Sequence, residues 1–600
     1  VLAFVFLVVY ERVFPPPKPQ TGTTADSIAA LQQGTPPAAG SSSTSASAAS
    51  RPGQSALATQ HSGPAPTVPA AKPETLTVTT PTAVVAFSNV GAAPVTVTMR
   101  DYHATVRDVA EQASAPLVRL GEPDEALLSY ALVTPHDTLQ LSGTAFHAAQ
   151  SKTPRGTPDV EFQADVPKPD GSTVHVTIGY AFDSGGYLSH VSGTVSGMPG
   201  VNSDYLLLTL PSGLPSYEAD TADDIRQLAY SYKVVHQDPA SVAFSRLQPE
   251  KPQLVPGPME WVAAKDKYFL VGVLASDTTR PHQFAEIHLI GAPRVGGVAV
   301  NASGAALLPL WTTTASAASS GGEAAFGFEL YTGPQDYRRL RALGRGFENL
   351  NQYGGFFHVL FQPFVTLTVL AILWMRQLLQ INYGWILIIF GIVTRILLWP
   401  LNQRAMRTSL KMQRLQPEIQ AVQAKFKNDQ QRMQQEVMRV YKEHDMSPWS
   451  PIAGCLPMLL PWPIFAALYF VFRTTIEFRG VPFLWMHDIS VKDPYYIMPV
   501  LMGLTSFLVS WIGMRNVPPN PQTKMMSYLF PVMMTFFFWK IAAGLNLYYF
   551  VQNLATVPQQ WYLSNERAKA GVPGAPAPGG SSPSGAKKGE VGERRIRAGG

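Results

Sequence analysis

One side chain in this sequence stands in the wrong solvent. Arg395 lies inside "WILIIFGIVTRILLWPLNQRAMR", residues 385–407, where the run from Trp385 to Leu401 is otherwise almost wholly apolar. A guanidinium keeps its proton, and placing it in hydrocarbon costs about 2.5–3.5 kcal/mol even on the mildest scales. Two uses would offset that penalty. A fixed cation in a hydrated cavity attracts acidic groups. Alternatively, the long stem snorkels to the end of the span, since Leu401 is six residues, about 9 Å of helix rise, further on. Spacing alone leaves both open.

The sequence suggests no other chemistry of comparable sharpness. There is no Walker motif, no paired carboxylates at catalytic spacing and no cluster with metal-ligand spacing, so neither an enzyme nor a cofactor is expected. His103, His136, His147, His175 and His236 read as loop or surface histidines. The single cysteine, Cys455, lies in an apolar segment and excludes an intrachain disulfide. Lys540 reads as an interfacial anchor.

The elements that must hold Arg395 follow from how apolar residues are distributed. The chain is 46% hydrophobic and only 14% charged, but the apolar residues concentrate at the first ten positions and from about Phe356 to Leu563. That is the pattern of an α-helical polytopic membrane protein carrying a large extramembrane domain. Val1 to Val9 would cross only about half of a ~30 Å hydrocarbon core. Residues 1–14 are therefore expected to be a truncated N-terminal transmembrane anchor, with a cleaved signal peptide as the rival reading. Residues 15–73, rich in Pro, Ala, Ser, Thr and Gly, predict a disordered linker. Residues 74–333 alternate in short runs such as "ETLTVTT" and "STVHVTIGYAF" between Gly, Pro and Asp/Asn breaks, which predicts an antiparallel β-sandwich.

A connector and interfacial amphipathic helix is expected over 334–382. Membrane helices follow at 383–401, 447–473 and 494–513, and a membrane hairpin at 525–563. A single helix over 525–563 would be about 58 Å long, so it must break, and "KIAAGLN" is where. Between the spans lie an outer loop at 474–493 and an inner loop at 514–524. Residues 402–446 predict a cytoplasmic helical hairpin, with apolar stripes at Met406, Leu410, Leu415, Ile419 and Val422 and at Met433, Val437 and Tyr441. That segment carries nine Lys/Arg against five acids, and the tail at 564–600 is basic and disordered. Placing these basic segments in the cytoplasm leaves the β-domain outside, provided that 357–380 does not span. Arg414, Lys425, Lys427 and Arg432 make the hairpin a candidate docking surface, against the alternative of a solvated linker.

Several stretches resemble one family closely. "SPWSPIAGCLPMLLPWPIF" (447–465), "LYFVFRTTIEFRGVPFLWMHDISVKDPYYIMPVLMG" (468–503), "VTRILLWPL", "LQPEIQ", "YKEHDMSP" and "GLNLYYFVQN" resemble the YidC-type bacterial membrane protein insertases, in the long form with a periplasmic domain. "WVAAKDKYF" (261–269) and "YTGPQDYRRLRALG" (331–344) resemble that periplasmic domain more faintly. The resemblance implies a five-helix core around a hydrophilic groove that opens to the cytoplasm and to lipid and is closed on the periplasmic side. It places Arg395 at the groove arginine, with Thr394 adjacent. Tyr548 and Tyr549 match a tyrosine pair, Tyr549 being the expected groove member, and Phe465 and Met502 match the substrate path. Pro461, Gly391 and the turn Ile541–Gly544 depart from the family pattern.

The function implied is insertion and chaperoning of nascent inner-membrane proteins, alone or beside the Sec translocon. Expected partners are nascent membrane proteins, the Sec translocon, the ribosome with the signal recognition particle pathway, and the bilayer; a single copy is compatible with this. The expected location is the bacterial inner membrane, multi-pass, with the β-domain periplasmic and the tail cytoplasmic. A solute transporter with an anion-binding arginine and a membrane-anchored envelope-binding protein are the alternatives.

Overall fold

From residue 75 to residue 334 the period-two alternation of side chains is realised strand by strand. In Thr173–Phe182, Val174, Val176, Ile178, Tyr180 and Phe182 point inward and their neighbours outward. This computed structural model describes residues 74–569, apart from breaks at 107–111, 113, 136, 153–156, 169, 199–203, 278–281, 296–297, 313–322, 354–357, 428, 445–461 and 516–520. The expected anchor, linker and terminal tail beyond residue 569 lie outside the described residues, as do His136, Cys455 and Pro461.

The strands form a 15-stranded antiparallel sheet and a separate 4-stranded one. The large sheet runs from Thr138–Gln140 and Ser129–Val133 at one end to Pro158–Pro167 and His147–Lys152 at the other. Tyr130, near the first end, meets Tyr180, near the second, hydroxyl to hydroxyl at 2.5 Å. The sheet therefore folds back over its own face. The expected antiparallel β-domain is present, its layers made by one sheet bent on itself. The central strand Phe269–Ala275 is buried at every position because it is covered on both faces. Phe87 of the smaller sheet packs against Phe162, Tyr180 and Phe182 and joins it to the same core.

Helices follow the strands and are numbered in chain order: α1 (Thr221–Ile225), α2 (Tyr337–Ala342), α3 (His358–Leu379), α4 (Tyr383–Lys425), α5 (Gln430–Glu443), α6 (Trp462–Thr474), α7 (Ile497–Met514), α8 (Pro521–Phe538) and α9 (Ala543–Lys569). Among the described residues three stretches are long and apolar enough to cross a membrane: Phe361–Leu379, Tyr383–Pro400 and Ile497–Met514. Pro463–Thr474 and Ser527–Phe538 are shorter apolar helices. The boundary expected at Leu401 is not a helix end. Helix α4 continues for 43 residues, about 64 Å, through Pro400 into the first arm of the basic hairpin. Leu415 and Tyr441, with Ile419 and Val437, pack that arm against α5.

Helix α3 packs along α6, with Val365, Val369 and Ile372 buried in one cluster with Ala467, Leu468 and Val471, and also meets the connector before it. Gln362 accepts a hydrogen bond from the Tyr353 amide, and the Tyr353 hydroxyl meets Thr474 at 3.0 Å. Val369 lines a cavity of about 30 Å³ with Tyr337 and Glu477. Arg338 of α2 donates to the Leu373 carbonyl at 2.9 Å, and Arg376 lies over the Tyr383 ring. Its opposite face, with Leu367 and Trp374, is exposed.

The β-domain is mounted on one end of the helices through buried charge. Arg479 donates from Nε to Glu218 at 2.7 Å, with the two side chains only 5% and 7% exposed. Arg473, at the end of α6, donates to Asp223 of α1 at 2.8 Å, and Lys267 pairs with the same carboxylate at 3.1 Å. Burial raises the Asp223 carboxyl, but Arg473 and Lys267 outweigh it and hold it below its usual range. Tyr268, in the "AKDKYF" turn, donates to Ser490. Removing one partner from such a pair strands the other charge, which typically costs about 3–5 kcal/mol.

A second clamp closes the same end of the bundle. Asn546, with no exposed surface, donates from its amide to the carbonyls of Phe538, Ile541 and Ala542 and so pins the turn between α8 and α9. Ala543 and Gly544 donate to Val491 and Ile489 at 2.7 and 2.8 Å, tying the turn to the α6–α7 loop. A Cβ on Gly544 would lie 2.4 Å from the Phe472 ring, so only glycine permits this approach.

Two predictions follow from these clamps. Asn546→Ala removes the side-chain bonds to this turn, while Phe538 and Ala542 keep backbone donors, and should cost about 1–3 kcal/mol, seen as a lower apparent unfolding midpoint in detergent. The Glu477 carboxyl is pushed up to about 7 by burial, and then by Asp336. Its oxygens have no hydrogen-bond partner among the described residues. The unfolded group titrates near 4.5, so the folded state keeps a proton that the unfolded state has lost between those two values. Stability from this group is complete below about 4.5 and disappears as pH rises through about 7. Glu477→Gln should therefore lose less stability than the parent between pH 5 and pH 8; equal losses would refute the assignment.

Candidate functional site: a buried arginine and a polar helix face

Helix α4 sorts its residues by angle. Ile392, Val393, Ile396, Leu397 and Trp399 are exposed, Leu397 at 73%, as expected of a lipid-facing surface. Gly391, Thr394 and Arg395, spaced three and four apart, turn toward α9. The apolar run is thus a helix with one polar stripe, and Arg395 lies on it.

Helix α9 supplies the matching stripe. The Gln552 side-chain amide donates to the Gly391 carbonyl at 3.0 Å, to Thr394 Oγ1 at 2.7 Å and to the Tyr548 hydroxyl at 2.9 Å. Seven residues further along the same face, Gln559 accepts a hydrogen bond from Arg395 Nη2. The Arg395 Nε–H is buried without a partner among the described residues. Gly391 allows the close approach: a Cβ there would already stand 3.2 Å from Val551. At this position the chain offers the Gly391 backbone carbonyl and the hydroxyl of Thr394.

The sequence-derived residues fall into three groups. Thr394 and Tyr548 join one network with Gln552, while Arg395 bonds separately to Gln559 further along the same face of α9; of the tyrosine pair it is Tyr548 that hydrogen-bonds at the seam. Tyr549 packs instead among Phe465, Phe538 and Tyr548, with ring centroids 5.2–5.5 Å apart. Met502 sits behind α9, 2% exposed, and its carbonyl accepts from Asn553 at 3.3 Å. In the hairpin Lys425, Lys427 and Arg432 are exposed, Arg432 within 3.7 Å of Asp429, while the Arg414 side chain lies outside the described residues.

The residues that sequence reasoning missed are Gln552, Asn553 and Gln559. Their signal was available in "FVQNLATVPQQWYL": amides seven residues apart mark one helix face in an otherwise apolar segment. Chemically the arrangement can bind, orient and desolvate an anionic group. It contains no nucleophile or general base.

Comparison with known proteins is consistent across the chain. The model of the YidC periplasmic domain matches residues 75–367, and that of the 60Kd inner membrane protein matches residues 374–570. The chain is 33% identical over 329 residues to the membrane protein insertase YidC of Anaeromyxobacter sp. (strain Fw109-5), covering 55% of each. It is 34% identical over 354 residues to that of Chlorobaculum tepidum, covering 55% of this chain and 57% of that one. The chain thus spans about half the length of the curated relatives it matches. A crystal structure of an active YidC insertase aligns with a TM-score of 0.32 and 16% identity, over 81% of this chain and 92% of that one. Matched over both its β-domain and its helical region, the chain belongs to the YidC family.

Proposed function

We propose that this protein inserts nascent proteins into the bacterial inner membrane and helps them fold, alone or alongside the Sec translocon. The observation that carries this reading is the Arg395 guanidinium, held at a polar helix–helix seam in a stretch of α4 whose exposed residues Ile392, Val393, Ile396, Leu397 and Trp399 are apolar. A substrate helix must draw its polar end through hydrocarbon, and a polar seam reaching into the bilayer shortens that dry path. A fixed cation attracts acidic residues in that end. The apolar part of the substrate then leaves sideways into lipid, gaining hydrophobic free energy without nucleotide hydrolysis.

Orientation follows from charge and aromatic residues. We place the basic hairpin and tail in the cytoplasm and the β-domain in the periplasm, which requires an odd number of spans between the β-domain and each of those segments. Helix α3 then lies along the outer interface and does not cross. Contacts of Gln362 with Tyr353, of Leu373 with Arg338 and of Arg376 with Tyr383 support this, while the buried side of α3 also packs along α6 through Val365, Ile372, Ala467 and Val471. Trp385 and Trp539 toward the outer ends, and Trp399, Trp511 and Trp561 toward the inner ends, serve as interfacial anchors.

Arg395→Ala should lower insertion of substrates with acidic translocated ends roughly tenfold, the value of one charge-assisted hydrogen bond, while Arg395→Lys retains more. Reconstituted vesicles report both; undiminished insertion by the two variants would sink the reading. For α3, Gln352→Cys and Gln380→Cys in a Cys455→Ser background should both react with an impermeant maleimide from the periplasmic side. Labelling of Gln380→Cys only after permeabilisation would mean that α3 spans.

A further inference from the structure

Arg395 is held differently from the part-buried arginines that pair with carboxylates, and like Arg376, which donates to the Ile381 carbonyl, it rests on a neutral acceptor. Arg345, Arg473 and Arg479 each meet a carboxylate at 2.7–2.8 Å: Glu329, Asp223 and Glu218. Arg395 meets an amide oxygen, that of Gln559, and among the described residues no carboxylate pairs with it. A carboxylate would hold the guanidinium and cancel its charge. An amide holds it and leaves the charge in place, with the remaining N–H groups free to meet another acceptor.

Gln559 is itself fixed. It is only 3% exposed, and the register of α9 against α4 is set two turns earlier, where Gln552 engages Gly391, Thr394 and Tyr548. Both helices run in the same direction through these contacts. The rise from Gln552 to Gln559 is about 10.5 Å and that from Gly391 to Arg395 about 6 Å. The guanidinium therefore reaches about 4–5 Å along the bundle beyond its own Cα to meet Gln559. Its long stem is drawn out along the seam, and Gln559 determines where the charge comes to rest.

We infer that Gln559 is a positioning residue for substrate recognition: it holds the Arg395 guanidinium in the seam by a neutral acceptor, so that a full positive charge is presented to acidic groups of the translocating segment. This rests on the function proposed above and adds a specific requirement, that residue 559 be an uncharged acceptor. The separate network explains why Thr394 and Gln552 are polar without touching Arg395: they set helix register.

The test uses the full chain in proteoliposomes and two substrates that differ only in whether the translocated end carries acidic or neutral residues. Gln559→Glu should abolish the preference for the acidic end, as Arg395→Ala does. Gln559→Met, similar in length but without a strong acceptor, should reduce the preference only partly. Combining Gln559→Glu with Arg395→Ala should add nothing to Arg395→Ala alone. Thermal unfolding in detergent accompanies each variant, and a preference measured within one variant is independent of how much of it folds. A Gln559→Glu protein that still prefers the acidic substrate, or that loses both substrates equally, overturns the inference. An Arg395→Ala protein that keeps the preference overturns the proposed function instead.

Discussion

Everything in the helical half of this protein answers to the hydration of one cation. A guanidinium amid hydrocarbon side chains is stable only if its donors find acceptors, and the acceptors must come from a neighbouring helix. That requirement accounts for Gln559 of α9, whose amide oxygen meets the guanidinium, with Gln552 fixing the register of the two helices. It accounts for Gly391, which removes the side chain that would hold the helices apart. It also accounts for the fixed turn at Asn546, since a helix that must present Gln559 to Arg395 has to start from a fixed point.

The β-domain is joined to this bundle by a different use of charge. Arg473 and Arg479 are neutralised by carboxylates from the β-domain, and Lys267 shares one of them. Ion pairs of this kind add little net stability compared with apolar packing, but they tolerate few alternative arrangements. They orient the β-domain on the helices. The amide-held Arg395 and the carboxylate-held pair differ in availability: the first keeps its field, the others have none to offer.

Much of this was legible in the sequence, for reasons particular to each element. The alternation in "STVHVTIGYAF" fixed the inward face of a strand because period two admits no other arrangement once one face is buried. The break at residues 539–542 was required by bilayer thickness. Arg395 announced itself by being costly where it stands. The amides of α9 were less visible, because glutamine is equally at home on a solvated helix and only its pairing with Arg395 gives it meaning. The unbroken run of α4 through Pro400 was hidden by the usual reading of proline as a helix terminator. The mounting of the β-domain could not be read at all: Arg473 and Asp223 are 250 residues apart in the chain, and pairing at that distance leaves no local pattern.

The length of α4 has a mechanical consequence. From Arg395 to Lys425 the helix rises about 45 Å without interruption, so the basic hairpin and the buried cation are two points on a single lever. A tilt of about 10° at the membrane end displaces the far end by about 8 Å, and a load on the hairpin returns to Arg395 as torque. Pro400, five residues past the arginine, and Pro417, nearer the hairpin turn, each lack the N–H that would bond one turn back, and stiffness is lower at both. Whatever engages the hairpin therefore pulls on a rod with one of its softer joints beside the charge.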